Sequence, residues 1–211
     1  GKPLLANDPH LPLRMPAVWY QNHLVGSEFR VTGVSFAGVP GVVIGHNDRI
    51  AWGVTVAFTD CQDLFMERFA VDGSERYQAG DEWLEADTRD EAIRVRGIRE
   101  PHAERVLSPR HGPVVPDIEA PGGERVAIAA SALRPNPDIR GFLRLNRARG
   151  WDEFVDAVRD MRGSQVNLVY ADVAGNIGYR LAGAVPVRAG GDGSVPSAGW
   201  TDEHEWIGEV P

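Results

Sequence analysis

The sequence predicts an α+β protein built in layers, and three observations predict it. Short apolar runs, several alternating with polar residues, recur through residues 3–58 and again from Val166 to Leu181. Between those regions the apolar spacing switches to helical intervals, from Asp138 to Met161. Glycine (24) and proline (15) are frequent enough to punctuate many short strands, which disfavours a helical bundle. With 211 residues, 43% of them hydrophobic, the chain is long enough to bury a substantial core, and it reads as one domain over 1–211.

Taken in order, Leu4 to Ala6 is a brief apolar run, read as a short strand and stopped by Asn7-Asp8-Pro9. Val18–Leu24 and Phe29–Phe36 read as strands, the second slipping in its alternation at Gly33 as a bulge would. Val42–Ile44 and Ile50–Thr55 flank Gly45-His46-Asn47-Asp48, a hairpin connection by composition. Leu64–Phe69 is a further strand. Residues 72–91 are polar and glycine-punctuated, which predicts hairpins and loops. Ala92–Arg96 alternates and predicts a half-buried strand; Val114-Val115 and Val126–Ala130 continue the β pattern. A short helix follows Pro137-Asp138. Trp151, Phe154, Val155, Val158 and Met161 then mark an amphipathic helix with Asp152 and Glu153 in its first turn, closing at Gly163. Val166–Tyr170 and Ile177–Leu181 return to strand across Asp172–Asn176, and residues 187–199 read as a surface loop.

The formal net charge of −8 argues against binding a nucleic-acid backbone. Arg144, Arg147 and Arg149 form a denser basic stretch, read as a solvated helix face. Cys61 is the only cysteine, so no intrachain disulfide and no cysteine-rich metal site can form. No apolar run is long enough to span a bilayer, and no charged-then-apolar leader opens the chain. Gly1 begins in mid-pattern, so processing, truncation or both are expected.

No serine stands in a Gly-x-Ser-x-Gly elbow or a Ser-x-x-Lys context, and the six histidines show no zinc spacing. Cys61 lies between Asp60 and Gln62, company that does not activate a thiol. Asn7-Asp8-Pro9-His10 can present His10 to a cleft, although a loop histidine without a role is the simpler reading of the tetrapeptide alone. Asp60 and Asp63 resemble half of an oxygen-ligand cation site; alone a solvated turn is the simpler reading.

Order changes that balance. Asn7–Leu11, Trp19-Tyr20, Gly38–Asn47, Ile50–Thr55, Asp60-x-x-Asp63-Leu64, His111–Val114, Asn167-x-x-Tyr170-Ala171-Asp172, Gly175–Tyr179 and Gly190–Gly193 near Trp200 together resemble the penicillin acylase family over essentially the whole chain. The resemblance implies part of a catalytic β subunit with a four-layer αββα N-terminal-nucleophile hydrolase core. It implies hydrolysis of a linear amide in a small N-acyl substrate, such as a β-lactam antibiotic or an acyl-homoserine lactone. The nucleophile would be an N-terminal serine exposed by self-cleavage, with its own α-amine as base; such an amine titrates near 8, within reach of neutral pH. In the family that serine precedes the Asn-Asp-Pro-His turn by about a dozen residues, so it is expected outside this chain, which alone is expected to be inactive.

By position, His10 matches the residue that orients the attacking group, and Val56 the residue whose backbone N–H serves the oxyanion hole. Leu11 and Phe58 match the acyl pocket. Asp60, Gln62 (through its carbonyl), Asp63 and Pro186 (likewise) match a structural calcium site. Four donors are fewer than the roughly six to eight a calcium takes, so weak or absent binding is expected. No catalytic cofactor is implied. An α subunit from the same precursor is the implied partner, and the implied location is periplasmic or secreted. A sheet lacking a strand would carry an exposed edge, which makes dimerisation a risk. The competing reading is a non-enzymatic β-rich module binding peptide or sugar, which has no reason to keep these motifs in fixed order.

Overall fold

The computed structural model describes residues 2–210, in which strands far outnumber helices. In chain order they are β1 (Trp19–Val25), β2 (Arg30–Phe36), β3 (Ile44–Asn47), β4 (Ile50–Val56), β5 (Gln62–Glu67), β6 (Arg76–Ala79), β7 (Glu82–Glu85) and β8 (Asp87–Ile93). There follow β9 (His102–Ser108), β10 (Val114–Glu119), β11 (Arg125–Ala130), α1 (Asp138–Leu145), α2 (Trp151–Val158), β12 (Val166–Asp172), β13 (Ile177–Ala182), β14 (Pro186–Arg188), β15 (Ser197–Ala198) and β16 (Trp206–Glu209). The expected α+β character is present, dominated by sheet. The chain, read from sequence as one domain, divides into two compact units: residues 1–59 with 134–184, and residues 60–133 with 185–211.

The first unit holds a six-stranded antiparallel sheet in the order β1-β2-β3-β4-β12-β13. Its central pair is β4 with β12, in register from Ile50 opposite Asp172 to Val56 opposite Val166. Successive side chains of a strand face opposite ways. Ile50, Trp52, Leu168 and Tyr170 therefore share one face, and they are buried with Val31 against Leu145, Phe154, Ala157, Val158 and Met161. Trp52 fits into that core because its indole N–H donates to the carbonyl of Val43 at 2.9 Å. At the β12–β13 turn, hydrogen bonds from the Asn176 side chain and backbone hold the Asp172 carboxyl down to about 2, and Tyr170 donates its hydroxyl to the same group at 2.8 Å.

The expected bulge at Gly33 is absent. The register runs through Gly33 without a shift, and glycine is needed because it faces Gly45, where a Cβ would strike the Ile44 carbonyl and the Val42 side chain. Leu4–Ala6 forms no strand. The hairpin tip is tighter than expected, with His46 and Asn47 already inside β3. The amphipathic helix ends at Val158, although Met161 is still buried.

The second unit centres on a sheet ordered β10-β11-β5-β15, in which only β15 runs parallel to its neighbour. Phe65, Val126, Ala127, Ala129 and Ala130 are its buried apolar positions, with Asp63 and Glu67 buried beside them. Ribbons β6-β7, β8-β9 and β14-β16 complete it. The half-buried strand expected at Ala92–Arg96 lies earlier, as β8, and is exposed along its whole length; its partner β9 carried no sequence signal. Residues 187–199, expected as loop, contain the end of β14 and all of β15. Among the described residues no helix is long and apolar enough to cross a membrane.

The helical layer is tied together by Asp160. Arg140 grips it with Nε at 3.0 Å and Nη2 at 2.8 Å, and Arg144 adds a third bond at 2.8 Å. The hydrogen bond from Arg140 leads the causes that hold this carboxyl below its usual range. A depressed folded-state value stabilises the fold above the unfolded carboxylate range, and that contribution disappears as pH falls through the folded value. Asp160→Asn should therefore cost about 1–2 kcal/mol at neutral pH, since both arginines are partly exposed. In urea melts across pH, the gap from wild type should close on acidification.

Candidate active site

Of the expected site residues, Val56 ends β4 at an edge that the Asn7 side chain also reaches. The N–H of Ala57 donates to the carbonyl of Gln165 at 3.1 Å, on the β12 side. An antiparallel ladder alternates, so the N–H groups of Val54 and Val56 point to the opposite edge. Strand β3 reaches only as far as Trp52 there. At Val54 the gap is filled by a side chain: the N–H donates to Asn7 Oδ1 at 2.7 Å, and Asn7 Nδ2 donates to the Val54 carbonyl at 3.2 Å. The carboxamide of Asn7 thus stands in for a peptide of a neighbouring strand. This is why Leu4–Ala6 needs no ladder of its own. Gly53 permits the approach, since a Cβ there would lie about 3 Å from three Asn7 side-chain atoms.

This clamp fixes Asn7, and with it the start of the Asn7–His10 segment, beside β4; that segment, expected as a turn, has no assigned turn. His10 is three residues beyond Asn7 and Val56 two beyond Val54, so the two lie on neighbouring stretches of chain. His10 is exposed, with Nε2 3.6 Å from Asp8. Val56 is 61% exposed. Leu11 and Phe58 are also exposed, and Phe58 has φ of 52°, a left-handed conformation that a bulky side chain rarely adopts and that often marks a functional position. The Val56 carbonyl is braced from β12. Asn167 Nδ2 lies 3.2 Å from both that oxygen and Thr55 Oγ1, while the Tyr179 hydroxyl donates to Asn167 Oδ1 at 2.6 Å. Asn7, Asn167 and Tyr179 stood in the quoted motifs without assigned roles; their contacts are between distant parts of the chain.

The candidate calcium residues lie in the second unit. Gln62 opens β5 and Pro186 opens β14, paired with Ala130 and Glu209 respectively. Asp63 is buried, and both its oxygens are engaged: Arg188 Nε and Nη2 lie at 2.8 and 2.9 Å, and the Trp206 indole N–H at 2.5 Å. Arg188 also reaches Asp60 Oδ2 at 3.0 Å. Burial pushes the Asp63 carboxyl up, but the bonds from Arg188 and Trp206 outweigh it and hold it below its usual value. The Arg188 guanidinium thus bridges Asp60 and Asp63. Among the described residues no group of three His, Cys, Asp or Glu side chains is placed to hold a metal ion; this concerns side chains and not the carbonyls of Gln62 and Pro186.

His111, prominent in the sequence, is buried. Its ring stacks on Phe65 at 3.8 Å, with Nδ1 2.5 Å from Glu67 and Nε2 2.7 Å from Glu205. Arg110 Nη2 reaches the same Glu205 oxygen at 2.9 Å. Both ring nitrogens are engaged by carboxylates, which makes His111 a tie between β5 and the turn before β16.

A backbone N–H pointing out of the ladder is the kind of donor an oxyanion hole uses. The family model for penicillin amidase matches residues 1–211, and the chain belongs to that family. It is 34% identical to the acyl-homoserine lactone acylase QuiP of Pseudomonas aeruginosa over 99% of this chain and 26% of that protein. It is 34% identical to the penicillin acylase 2 proenzyme of Pseudomonas sp. over 100% of this chain and 27% of that protein. A solved structure, the thermostable penicillin G acylase from Alcaligenes faecalis, is similar with a TM-score of 0.80 and 30% identity, covering 93% of this chain and 35% of that one. The chain thus spans about a quarter of the length of the curated relatives it matches.

Removing the clamp should expose the strand edge. Asn7→Ala is expected to cost about 1–2 kcal/mol and to raise the hydrogen-exchange rate of the Val54 amide selectively. Unchanged protection at Val54 would show that the carboxamide carries no such role.

Proposed function

We propose that the whole protein hydrolyses a linear amide of an N-acyl compound, and that residues 1–211 supply the oxyanion side of its site. The observation that carries this is the Val56 N–H, aimed at an edge that Asn7 closes at Val54 but leaves open two residues on. A carbonyl oxygen seated there would gain a hydrogen bond as it becomes tetrahedral. The nucleophile is a serine outside residues 1–211, with its own α-amine as base. His10, held by the Asn7 clamp, orients it; Leu11 and Phe58 meet the acyl group. Residues 1–211 alone are then inactive. The substrate classes are those in the relatives' names, acyl-homoserine lactones and penicillins. The name proenzyme given to one relative supports a precursor; an α subunit cut from that precursor is the partner in this reading. The four-layer αββα core, a periplasmic or secreted location and pairing of copies through the edge strands β1 and β13 belong to the same reading, and fractionation and size-exclusion chromatography test the last two.

The sharpest test is Val56→Pro in the full-length enzyme. That N–H lies outside the β12 ladder, so proline removes the donor at a strand edge that tolerates it. The expected result is a fall in kcat of about 100–1,000-fold with KM little changed. A kcat equal to wild type would remove Val56 from the reaction.

Calcium is weak or absent in residues 1–211, and Arg188 supplies the positive charge between Asp60 and Asp63. Calcium and chelator should leave the melting temperature of this chain equal. Arg188→Met strands the buried Asp63 carboxylate and should cost about 3–5 kcal/mol. A large stabilisation by calcium in the wild-type chain would overturn this reading.

A further inference from the structure

Four arginines from three separate stretches line one cleft of about 230 Å³: Arg30 at the start of β2, Arg49 in the β3–β4 turn, and Arg147 and Arg149 beyond α1. Glu28 and Asp48 line it too, so the cleft keeps a positive excess in a chain of net charge −8. Among the described residues, none of the four guanidinium groups is within ion-pair distance of a carboxylate, whereas Arg76, Arg105, Arg140, Arg144, Arg159 and Arg188 each are.

The cleft is braced from behind. Asn47 Nδ2 donates to the carbonyls of Asn146 (3.2 Å) and Ala148 (2.8 Å), while its Oδ1 accepts from the N–H groups of Arg49 and Ile50 at 2.8 and 2.9 Å. Asn146, 2% exposed, pairs with both backbone groups of Val42 at 2.7 Å. The β3–β4 turn and the segment after α1 are therefore stitched together, which holds Arg49 close to Arg147 and Arg149. Arg147 also lies over the Phe29 ring, 5.3 Å from its centroid. Four guanidinium groups held together against two carboxylates leave a net repulsion, and a bound anion relieves it.

We propose that this cleft binds a compact oxyanion of the phosphate class, free or as a monoester. Guanidinium groups match phosphate oxygens in two-point contacts. A tetrahedral dianion offers oxygens in several directions to arginines arriving from three stretches, which a planar carboxylate does not. The cleft is smaller than the roughly 300–1,000 Å³ of pockets for drug-sized ligands, which favours a compact group. It lies at the other end of β4 from Val56, about 20 Å of strand away, and does not rest on the proposed hydrolysis.

The test is a titration of the chain with inorganic phosphate at constant ionic strength, chloride making up the balance, followed by amide chemical shifts. Expected are saturable shifts confined to residues 28–30, 47–49 and 146–149. Binding should be about tenfold weaker or more in Arg49→Gln and in Arg147→Gln, and unchanged in Arg159→Gln, with all three variants melting as wild type. Glycerol 3-phosphate binding with the same footprint assigns a soluble ester. Sedimentation with phosphatidic acid vesicles, competed by inorganic phosphate, assigns a lipid headgroup. Shifts that do not saturate, that spread to arginines elsewhere, or that survive both cleft variants would overturn the proposal.

Discussion

The pairing of β4 with β12 is the constraint on which the rest of the first unit depends. Its seven-residue register puts Trp52 opposite Tyr170 on the face that the helices bury. The same register turns the N–H groups of Val54 and Val56 away from β12, toward an edge that β3 does not reach. Core and candidate site are thus two consequences of one ladder: side-chain alternation makes the first, and hydrogen-bond alternation the second. A slip of one residue would expose Trp52 and turn the Val56 N–H into the sheet.

Three buried groups are held in the same way. Asp160 meets two arginines, Asp63 meets Arg188 and Trp206, and the His111 ring meets two glutamates. Each is a group whose removal from water is compensated by charge-assisted hydrogen bonds, and each joins elements distant in sequence. The arginine cleft departs from that pattern. Its arginines are brought together by a neutral asparagine network and form no close ion pair with Glu28 or Asp48, which is why it stands out as a place for a ligand.

Much of the fold was legible where burial imposes a period. Residues 30–36, 50–56, 166–172 and 177–182 form strands close to where their apolar residues predicted, and the helices begin where expected, after Pro137 and at Trp151. Legibility failed where no burial pattern exists. The β8–β9 ribbon lies largely in solvent, so nothing selects its residues by face, and β15 is two residues long. Leu4–Ala6 misled because its apolar residues are not buried, Leu4 and Ala6 both being exposed, and Gly33 because a glycine needed for cross-strand contact breaks alternation as a bulge does.

By itself the sequence determined the α+β class, the main strands and helices, and the ordered motifs that mark the penicillin amidase family, because these depend on local period and residue order. Only the tertiary structure decided what those motifs touch. Asn7 reaches Val54 across 47 positions, Arg188 reaches Asp63 across 125, and Asn47 reaches Ala148 across 101. Such contacts leave no trace in spacing, since each depends on how the sheet registers bring distant residues together. For that reason the turn at Asn7–His10 was visible as a motif, while its clamp on the edge of β4 was not.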